Sequence, residues 1–256
     1  MNLYESFVIA FSMYSRIPMP RVEWSREGMK YALCFFPFVG LVLGALMWGA
    51  CLFMDWAGVS QLAKAAVLTV LPVAVTGGIH VDGLIDTCDA LHSWQPREKK
   101  LEILKDPHVG AFGIIGVMVY GLLTLGRMGE MTGGHLAVYG GGLFLSRTLS
   151  GLSVVLFPCA KDSGLAASFA DGAAKKTART VFCVYLAAAA AYLWALGQWA
   201  GLLTLAGALA VFAHYYRMSG KQFGGITGDL AGYFLCVCET VMAICLAAAG
   251  YLGWIR

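Results

Sequence analysis

Residues 31–54 read YALCFFPFVGLVLGALMWGACLFM, a run that contains no charged side chain. A helix of about 20 apolar residues crosses the roughly 30 Å hydrocarbon core of a bilayer. Similar runs recur along the 256-residue chain, which is 59% hydrophobic and 13% charged, with a mean hydropathy of +0.71. Soluble domains carry about 25% charged residues. The sequence therefore predicts an all-α, polytopic membrane protein.

We predict a bundle of about seven transmembrane helices, within a range of six to eight because several apolar runs are short for a bilayer. The predicted spans are residues 31–54, 62–77, 111–126, 135–158, 180–196, 200–214 and 233–255. A short amphipathic helix is expected at residues 3–14. Gly40, Gly44 and the triplet 140–142 predict close packing between spans. We see no repeat and no linker, so a single domain over residues 1–256 is the simplest interpretation.

The basic residues of the segments between the predicted spans predict the orientation of the chain. From the N-terminal segment to the C-terminal tail they number 4, 1, 4, 1, 4, 0, 2 and 1, when Lys64 at the start of the second span is counted with the segment before it. By the positive-inside rule, this alternation predicts a cytoplasmic N-terminus and cytoplasmic loops at 77–110 and 215–232. No cleavable signal peptide is expected, because the first 15 residues lack a basic segment. The eight cysteines form no CxxC pair and are interpreted as inert.

The loop at 77–110 opens with a cluster of acidic residues. Asp82, Asp86 and Asp89 fall at positions i, i+4 and i+7, which places them within about 60° on the surface of a helix. Carboxylates this close repel one another unless a cation lies among them. Mg²⁺ shared with a phosphate substrate is the expected cation. The alternative is an acidic, solvated helix beside the membrane.

Two glycines and a histidine come directly before this acidic helix. Gly77 and Gly78 would let backbone N–H groups approach a phosphate. His80 is a candidate general base for an attacking hydroxyl, because the ordinary pKa of histidine is near neutrality. The alternative for His80 is a core histidine that orients a carboxylate through a hydrogen bond.

Apart from Lys64 at the start of the second span, Arg147 and Glu239 are the charged residues inside the predicted spans. A buried arginine costs roughly 2.5–3.5 kcal/mol on an insertion scale, so Arg147 is expected to face an anion. A substrate phosphate is the favoured anion, and a structural salt bridge to Glu239 is the alternative. Lys105 and Asp106 precede Pro107 and could contact a phosphate and a metal ion respectively. Alone, however, they are also typical of an ordinary helix end.

A second acidic element reads GGITGD at residues 224–229. A glycine-rich turn at the start of a span can bind a phosphate or a metal ion. Asp229 could equally be an ordinary N-terminal helix cap. Asp229 and Glu239 lie about 80° apart around an ideal helix, so they share one broad face.

Together these segments resemble the adenosylcobinamide-GDP ribazoletransferase family, also called the cobalamin synthases. The string Gly-Gly-x-His-x-Asp-Gly-Leu-x-Asp-x-x-Asp, which begins at Gly77, is the most specific match. The chain departs from the family pattern at Cys236, where relatives often carry Glu, and near Thr124 and Arg127, where some carry Lys. The matching segments follow the family's order over nearly the whole chain: Arg16-Ile-Pro18-x-Pro20, 36–45, 76–90, Lys105-Asp106 with Gly110 and Gly113, Ser146-Arg147, Gly164-Leu165 and 224–229.

The resemblance implies a transfer reaction at a diphosphate. A ribose hydroxyl of α-ribazole, or of its 5′-phosphate, would attack the phosphorus nearest the corrinoid in adenosylcobinamide-GDP and release GMP. The implied ligands of Mg²⁺ are Asp82, Asp86, Asp89, Asp106, Asp229 and Glu239. Lys105 and Arg147 would stabilise the diphosphate charge, and His80 or a carboxylate would take the hydroxyl proton. The implied substrate contacts are Arg16, Gly77, Gly78, Gly225, Thr227 and Gly228.

The expected surroundings are the lipid bilayer of a prokaryotic cytoplasmic membrane, with no nucleic-acid partner. A homo-oligomer, and association with other enzymes of nucleotide-loop assembly, are left open. A CDP-alcohol phosphotransferase-like enzyme is the nearest alternative, but its usual Asp-Gly-x-x-Ala-Arg string is absent. A transporter is the alternative from another class. It is disfavoured because no inverted repeat is evident and the acidic residues lie near one membrane interface.

Overall fold

The computed structural model describes residues 3–160 and 174–255 and is 82% helical. Within those ranges the only β interaction is an isolated bridge between Cys159 and Ile226. The predicted all-α fold is therefore confirmed, including the short helix at the N-terminus. The helices are α1 (Leu3–Tyr14), α2 (Arg26–Trp56), α3 (Gln61–Thr76), α4 (Ile79–His92), α5 (Arg97–Ile103), α6 (Ala111–Glu130), α7 (Gly133–Leu156), α8 (Lys175–Phe223) and α9 (Gly228–Tyr251).

Four of the described helices, α2, α6, α8 and α9, are long and apolar enough to cross a membrane. Helices α3 and α4 together would make a fifth span, but they meet at an angle of 95°. With 14 residues, α4 is too short to cross a bilayer alone. The polytopic character is thus confirmed, and the number of seven spans stays a prediction.

Helix α8 is a hairpin of two helical arms. Its 49 residues are interrupted at Gln198, whose φ of 44° and ψ of −118° are not helical. The backbone of Gly201 packs against the Leu193 carbonyl, eight residues earlier. In a continuous helix eight residues span about 12 Å, so the chain must reverse between them. The two arms contain the spans predicted at 180–196 and 200–214.

Helix α7 is buried along nearly its whole length and forms the centre of the bundle. Gly44 of α2 lies directly against the backbone of Gly140, and Gly40 lies against the Leu143 carbonyl. A side chain at either α2 position would collide with the α7 backbone, so the predicted close packing is confirmed. One hydrophobic core runs from α1 to α9. The single-domain prediction stays a prediction that this continuous core supports.

The two ends of the bundle differ in chemistry. At one end, the Gln61 amide donates a hydrogen bond to the Gly129 carbonyl and the Tyr251 hydroxyl donates one to Glu130. Exposed tryptophans lie at this end, as is typical of a membrane interface. They are Trp48, Trp56, Trp194, Trp199 and Trp254. The opposite end holds α4 and the first turns of α6 and α9, and therefore the acidic motifs.

Candidate active site

The acidic helix α4 begins at a sharp bend made by two glycines. Gly77 ends α3 with a φ of 71°, and Gly78 begins α4 with a φ of 82°, both in the left-handed region that favours glycine. No side chain caps the N-terminus of α4. The exposed Arg16 crosses this bend, because a Cβ on Gly77 would lie 2.6 Å from the Arg16 Nε. The structure therefore brings together three of the predicted substrate contacts.

Asp82, Asp86 and Asp229 meet where α4 crosses the start of α9. Gly83 lies against the backbone of Asp229, with no space between the two helices for a side chain. Asp82 is exposed and Asp86 is half-buried. Burial, and then the neighbouring carboxylates of Asp82, Asp229 and Asp89, raise the pKa of Asp86 to about 6. The carboxylates that the sequence predicts to repel one another thus lie close together in the folded protein.

Asp89 has a structural task that the sequence did not predict. Its two carboxylate oxygens accept hydrogen bonds from the backbone N–H groups of Gly110 and Gly113, each at 2.8 Å. These are unsatisfied donors of the first turn of α6, so Asp89 caps that helix from a distance in sequence. Its role as a Mg²⁺ ligand stays a prediction, but both of its oxygens are already engaged.

Lys105 and Asp106 lie in the exposed loop between α5 and α6. Asp106 accepts a hydrogen bond from the backbone N–H of His108 at 2.9 Å and contacts the His108 Nδ1 at 2.7 Å. The backbone bond and then the side-chain bond lower the pKa of Asp106. This geometry is that of a local turn. The predicted contacts of Lys105 with a phosphate and of Asp106 with a metal ion stay predictions. The loop that carries them leads directly into Gly110, which touches Asp89.

Arg147 and Glu239 form a buried salt bridge in the interior of the bundle. The Arg147 guanidinium donates to Glu239 at 2.5 Å and to the Leu143 carbonyl at 3.1 Å. The Ser146 hydroxyl donates to the same Glu239 oxygen at 3.1 Å. The alternative of a structural pair, not the phosphate contact, is the arrangement seen. Glu239 is correspondingly placed with Arg147 and not with the aspartates, and its role as a metal ligand stays a prediction.

The turn at 224–227 positions Asp229. Ile226 exchanges backbone hydrogen bonds of 2.9 Å with Pro158 and Ala160, and Gly225 fits tightly against that segment. The Thr227 hydroxyl accepts the Leu230 N–H at 3.2 Å and so caps α9. Gly228 is exposed. These contacts are structural, and whether the turn also binds substrate stays a prediction.

His80 lies in a layer of aromatic rings. Its ring centroid is 6.5 Å from that of Tyr14 and 6.0 Å from that of Phe36. Burial, and then the nearby Arg147 guanidinium, lower the pKa of His80 to about 3. A base that holds its proton so weakly is poorly matched to proton abstraction near neutral pH. The His80 Nε2 atom is buried and has no hydrogen-bond partner among the described residues, so the alternative of a carboxylate-orienting bond through this atom is also absent there.

A cavity of about 320 Å³ lies beside His80 and the acidic cluster. It is formed by α1, α2, α4, α7 and α9, and Asp82 and Asp229 are in its wall. Sequence reasoning does not name Tyr14 or Phe36 as residues beside the site, because Tyr14 lies in no motif and Phe36 is matched only as part of the apolar segment 36–45. The predicted match at Gly164–Leu165 lies outside the described residues.

The described residues contain no group of three His, Cys, Asp or Glu side chains arranged to hold a metal ion. Mg²⁺, however, is commonly bound through one or two carboxylates, with water and substrate phosphates as its other ligands. The oxygen-only chemistry of Asp82, Asp86 and Asp229, and the raised pKa of Asp86, fit a hard cation of that kind. The donor set is therefore suited to a metal ion shared with a diphosphate.

These features define a helical, multi-pass membrane protein with an acidic site at one end of its bundle. Residues 6–247 match the model of the cobalamin-5-phosphate synthase family, and the chain belongs to that family. It is 39% identical to an adenosylcobinamide-GDP ribazoletransferase of Lachnoclostridium phytofermentans, over 97% of this chain and 95% of the relative. Proteins of the same name from Brevibacillus brevis and Clostridium botulinum are 32% and 30% identical, over 96% and 94% of this chain and 99% and 96% of theirs. No solved structure matches the chain.

Proposed function

We propose that this protein joins adenosylcobinamide-GDP to α-ribazole or its 5′-phosphate and releases GMP, in a Mg²⁺-dependent transfer. The observation that carries the proposal is the convergence of Asp82, Asp86 and Asp229 beside a cavity, in a chain that belongs to the cobalamin-5-phosphate synthase family. A diphosphate substrate needs its charge neutralised while the acceptor hydroxyl is held in line with the phosphorus. A carboxylate cluster at the end of a membrane bundle is suited to both tasks.

Asp82, Asp86 and Asp229 are the residues that would hold the metal ion. Bound Mg²⁺ supplies positive charge to the diphosphate oxygens. Arg16, which crosses the glycine bend, and the exposed Lys105 supply further positive charge from the protein. The uncapped N–H groups at the start of α4 are a third source of donors.

A carboxylate of the cluster is better placed than His80 to accept the proton of the attacking hydroxyl. Burial and the neighbouring carboxylates raise the pKa of Asp86 to about 6, whereas burial holds the pKa of His80 near 3. General bases work best when their pKa is near the operating pH. The Arg147 guanidinium is engaged by Glu239 in the bundle interior, so Arg147 would act on this site indirectly, without contacting the substrate.

The test is GMP release by the full-length protein, purified in detergent, from adenosylcobinamide-GDP with each acceptor in turn. We expect release that requires an acceptor, is abolished by EDTA and is restored by added Mg²⁺. Release without an acceptor would indicate a hydrolase. Release that is indifferent to EDTA would contradict the metal assignment. Failure to turn over either acceptor, with transport activity after reconstitution in vesicles, would favour the transporter alternative.

The cytoplasmic orientation of the acidic end stays a prediction of the sequence, and a homo-oligomeric state and association with other enzymes of nucleotide-loop assembly stay open. The first of these follows from the need for a nucleotide-activated substrate, which is made inside the cell. The exposed basic residues at this end, including Lys175, Lys176 and Arg217, favour the same side.

A further inference from the structure

The cavity beside the acidic cluster has the shape and lining of a site for a flat aromatic group. At about 320 Å³ it is at the small end of the range of about 300–1,000 Å³ that ligand sites occupy. Such a volume suits a bicyclic base with part of a ribose and is too small for a corrinoid macrocycle. The rings of Tyr14, Phe36 and His80 line it together with aliphatic side chains, and aromatic rings favour flat, apolar partners.

One polar group in this lining has an unmet hydrogen-bonding capacity. The His80 side chain is 92% buried and lines the cavity, and its Nε2 has no partner among the described residues. Buried polar atoms in native proteins nearly always have a partner, so an exception points to a missing ligand or water. His80 is also close to Asp82, which lies in the same wall. The cavity thus offers an apolar body, a hydrogen-bonding imidazole and carboxylates at one boundary.

The larger groove of the protein does not have this combination. It measures about 520 Å³ and lies between α4, α6 and α9. Of its α4 residues, Leu84 and Cys88 are on the side of the helix away from Asp82 and Asp86. Its α6 residues include Ile115 and Val119, which are exposed on a predicted membrane span. This groove therefore faces lipid and not the acidic site.

We propose that the smaller cavity binds the aromatic base of the ribazole acceptor, with His80 as its polar contact and the ribose directed toward Asp82 and Asp229. This inference rests on the proposed function, since it assigns one of the two substrates to a subsite. It explains why the acidic helix begins with a buried histidine: the same turn of α4 places the base contact and the first carboxylate in the wall of one cavity. It also makes His80 a substrate-binding residue instead of a proton acceptor.

The test uses Ala231, which is half-buried in the cavity wall on α9, and Ala248, which is half-buried on the same helix near its other end. We expect Ala231→Leu to fill the cavity and to weaken binding of α-ribazole alone by roughly tenfold or more, as a change of this size does in an apolar pocket. Ala248→Leu is the matched control and should leave binding unchanged. Binding is measured by equilibrium dialysis on the full-length protein in nanodiscs, and thermal unfolding confirms that both variants are folded.

Turnover separates this inference from the proposed function. The KM for α-ribazole should rise in Ala231→Leu while the KM for adenosylcobinamide-GDP stays the same. His80→Phe keeps a ring between Tyr14 and Phe36 but removes the nitrogens, and should also weaken α-ribazole binding about tenfold. Unchanged binding by Ala231→Leu, or no binding by the wild type, would overturn the inference even if GMP is released. Binding that depends on Ala231 without any GMP release would support the cavity and contradict the reaction.

Discussion

The two charged clusters of this protein share helix α9 but are built in opposite ways. Arg147 and Glu239 are a closed pair of opposite charges, joined at 2.5 Å and supported by Ser146. The cluster at the start of α9 brings like charges together, and within the described residues neither Asp82 nor Asp86 forms a salt bridge. A buried charge that another side chain neutralises, as Glu239 neutralises Arg147, has a structural role. Charges that the fold leaves to repel one another are the basis of the cation site proposed above.

The closed pair should show the largest effect of a single substitution, and the effect should be on stability. Glu239→Gln leaves the Arg147 guanidinium buried without a counter-charge, which costs about 3–5 kcal/mol in buried pairs. We expect the free energy of unfolding in detergent to fall by about that amount. The double variant Arg147→Met, Glu239→Met replaces both charges with apolar groups and should recover most of the loss. A loss below about 1 kcal/mol for Glu239→Gln would mean that the pair is not structural.

A substitution in the open cluster, formed by Asp82, Asp86 and Asp229, should change activity instead of stability. Asp86→Asn removes one of the repelling charges, so stability should be unchanged or slightly higher. We expect turnover to fall at least about 100-fold, the scale on which key electrostatic groups act. Glu102→Gln is the control, because Glu102 is exposed on α5 and its one ion pair among the described residues is with Lys99 at the surface. Near-normal turnover of Asp86→Asn at saturating Mg²⁺ would contradict the metal assignment.

The contrast between the clusters also explains how far the sequence alone could reach. Apolar runs and the i, i+4, i+7 spacing on α4 are local signals, and the structure confirms the helical fold and the proximity of the aspartates. The partner of a residue is a long-range property. Nothing local in the sequence decides that Arg147 faces Glu239, that Asp89 reaches Gly110, or that Tyr14 and Phe36 flank His80. The unforeseen partner of Asp89 and the missed cavity have this common cause.

Asp89 shares features of both charged clusters, and its substitution should have a smaller effect than that of Glu239 or Asp86. It belongs to the acidic string, but its oxygens cap the first turn of α6 through Gly110 and Gly113. Asp89→Ala should lower the free energy of unfolding by about 1–2 kcal/mol, as other cap deletions do, whereas Asp86→Ala should not lower it. Asp89→Asn keeps one acceptor oxygen and should fall between wild type and Asp89→Ala. Equal stability of the Asp86 and Asp89 variants in thermal unfolding would remove the distinction between them.

The substitutions with the smallest expected effect on stability test on which side of the membrane the open cluster lies. If the carboxylate cluster binds Mg²⁺ and a nucleotide-linked substrate, as proposed, it faces the cytoplasm and the tryptophan-rich end faces outward. Trp94, 92% exposed directly after α4, and Trp56, 83% exposed at the end of α2, are a matched pair of positions. Both side chains are mostly exposed, so cysteine at either position should change stability by less than about 0.5 kcal/mol. With the exposed Cys183 replaced by Ser, a membrane-impermeant maleimide should label Trp56→Cys in intact cells and Trp94→Cys only after permeabilisation. The reverse pattern would place the carboxylates outside, where neither the nucleotide nor the proposed chemistry could reach them.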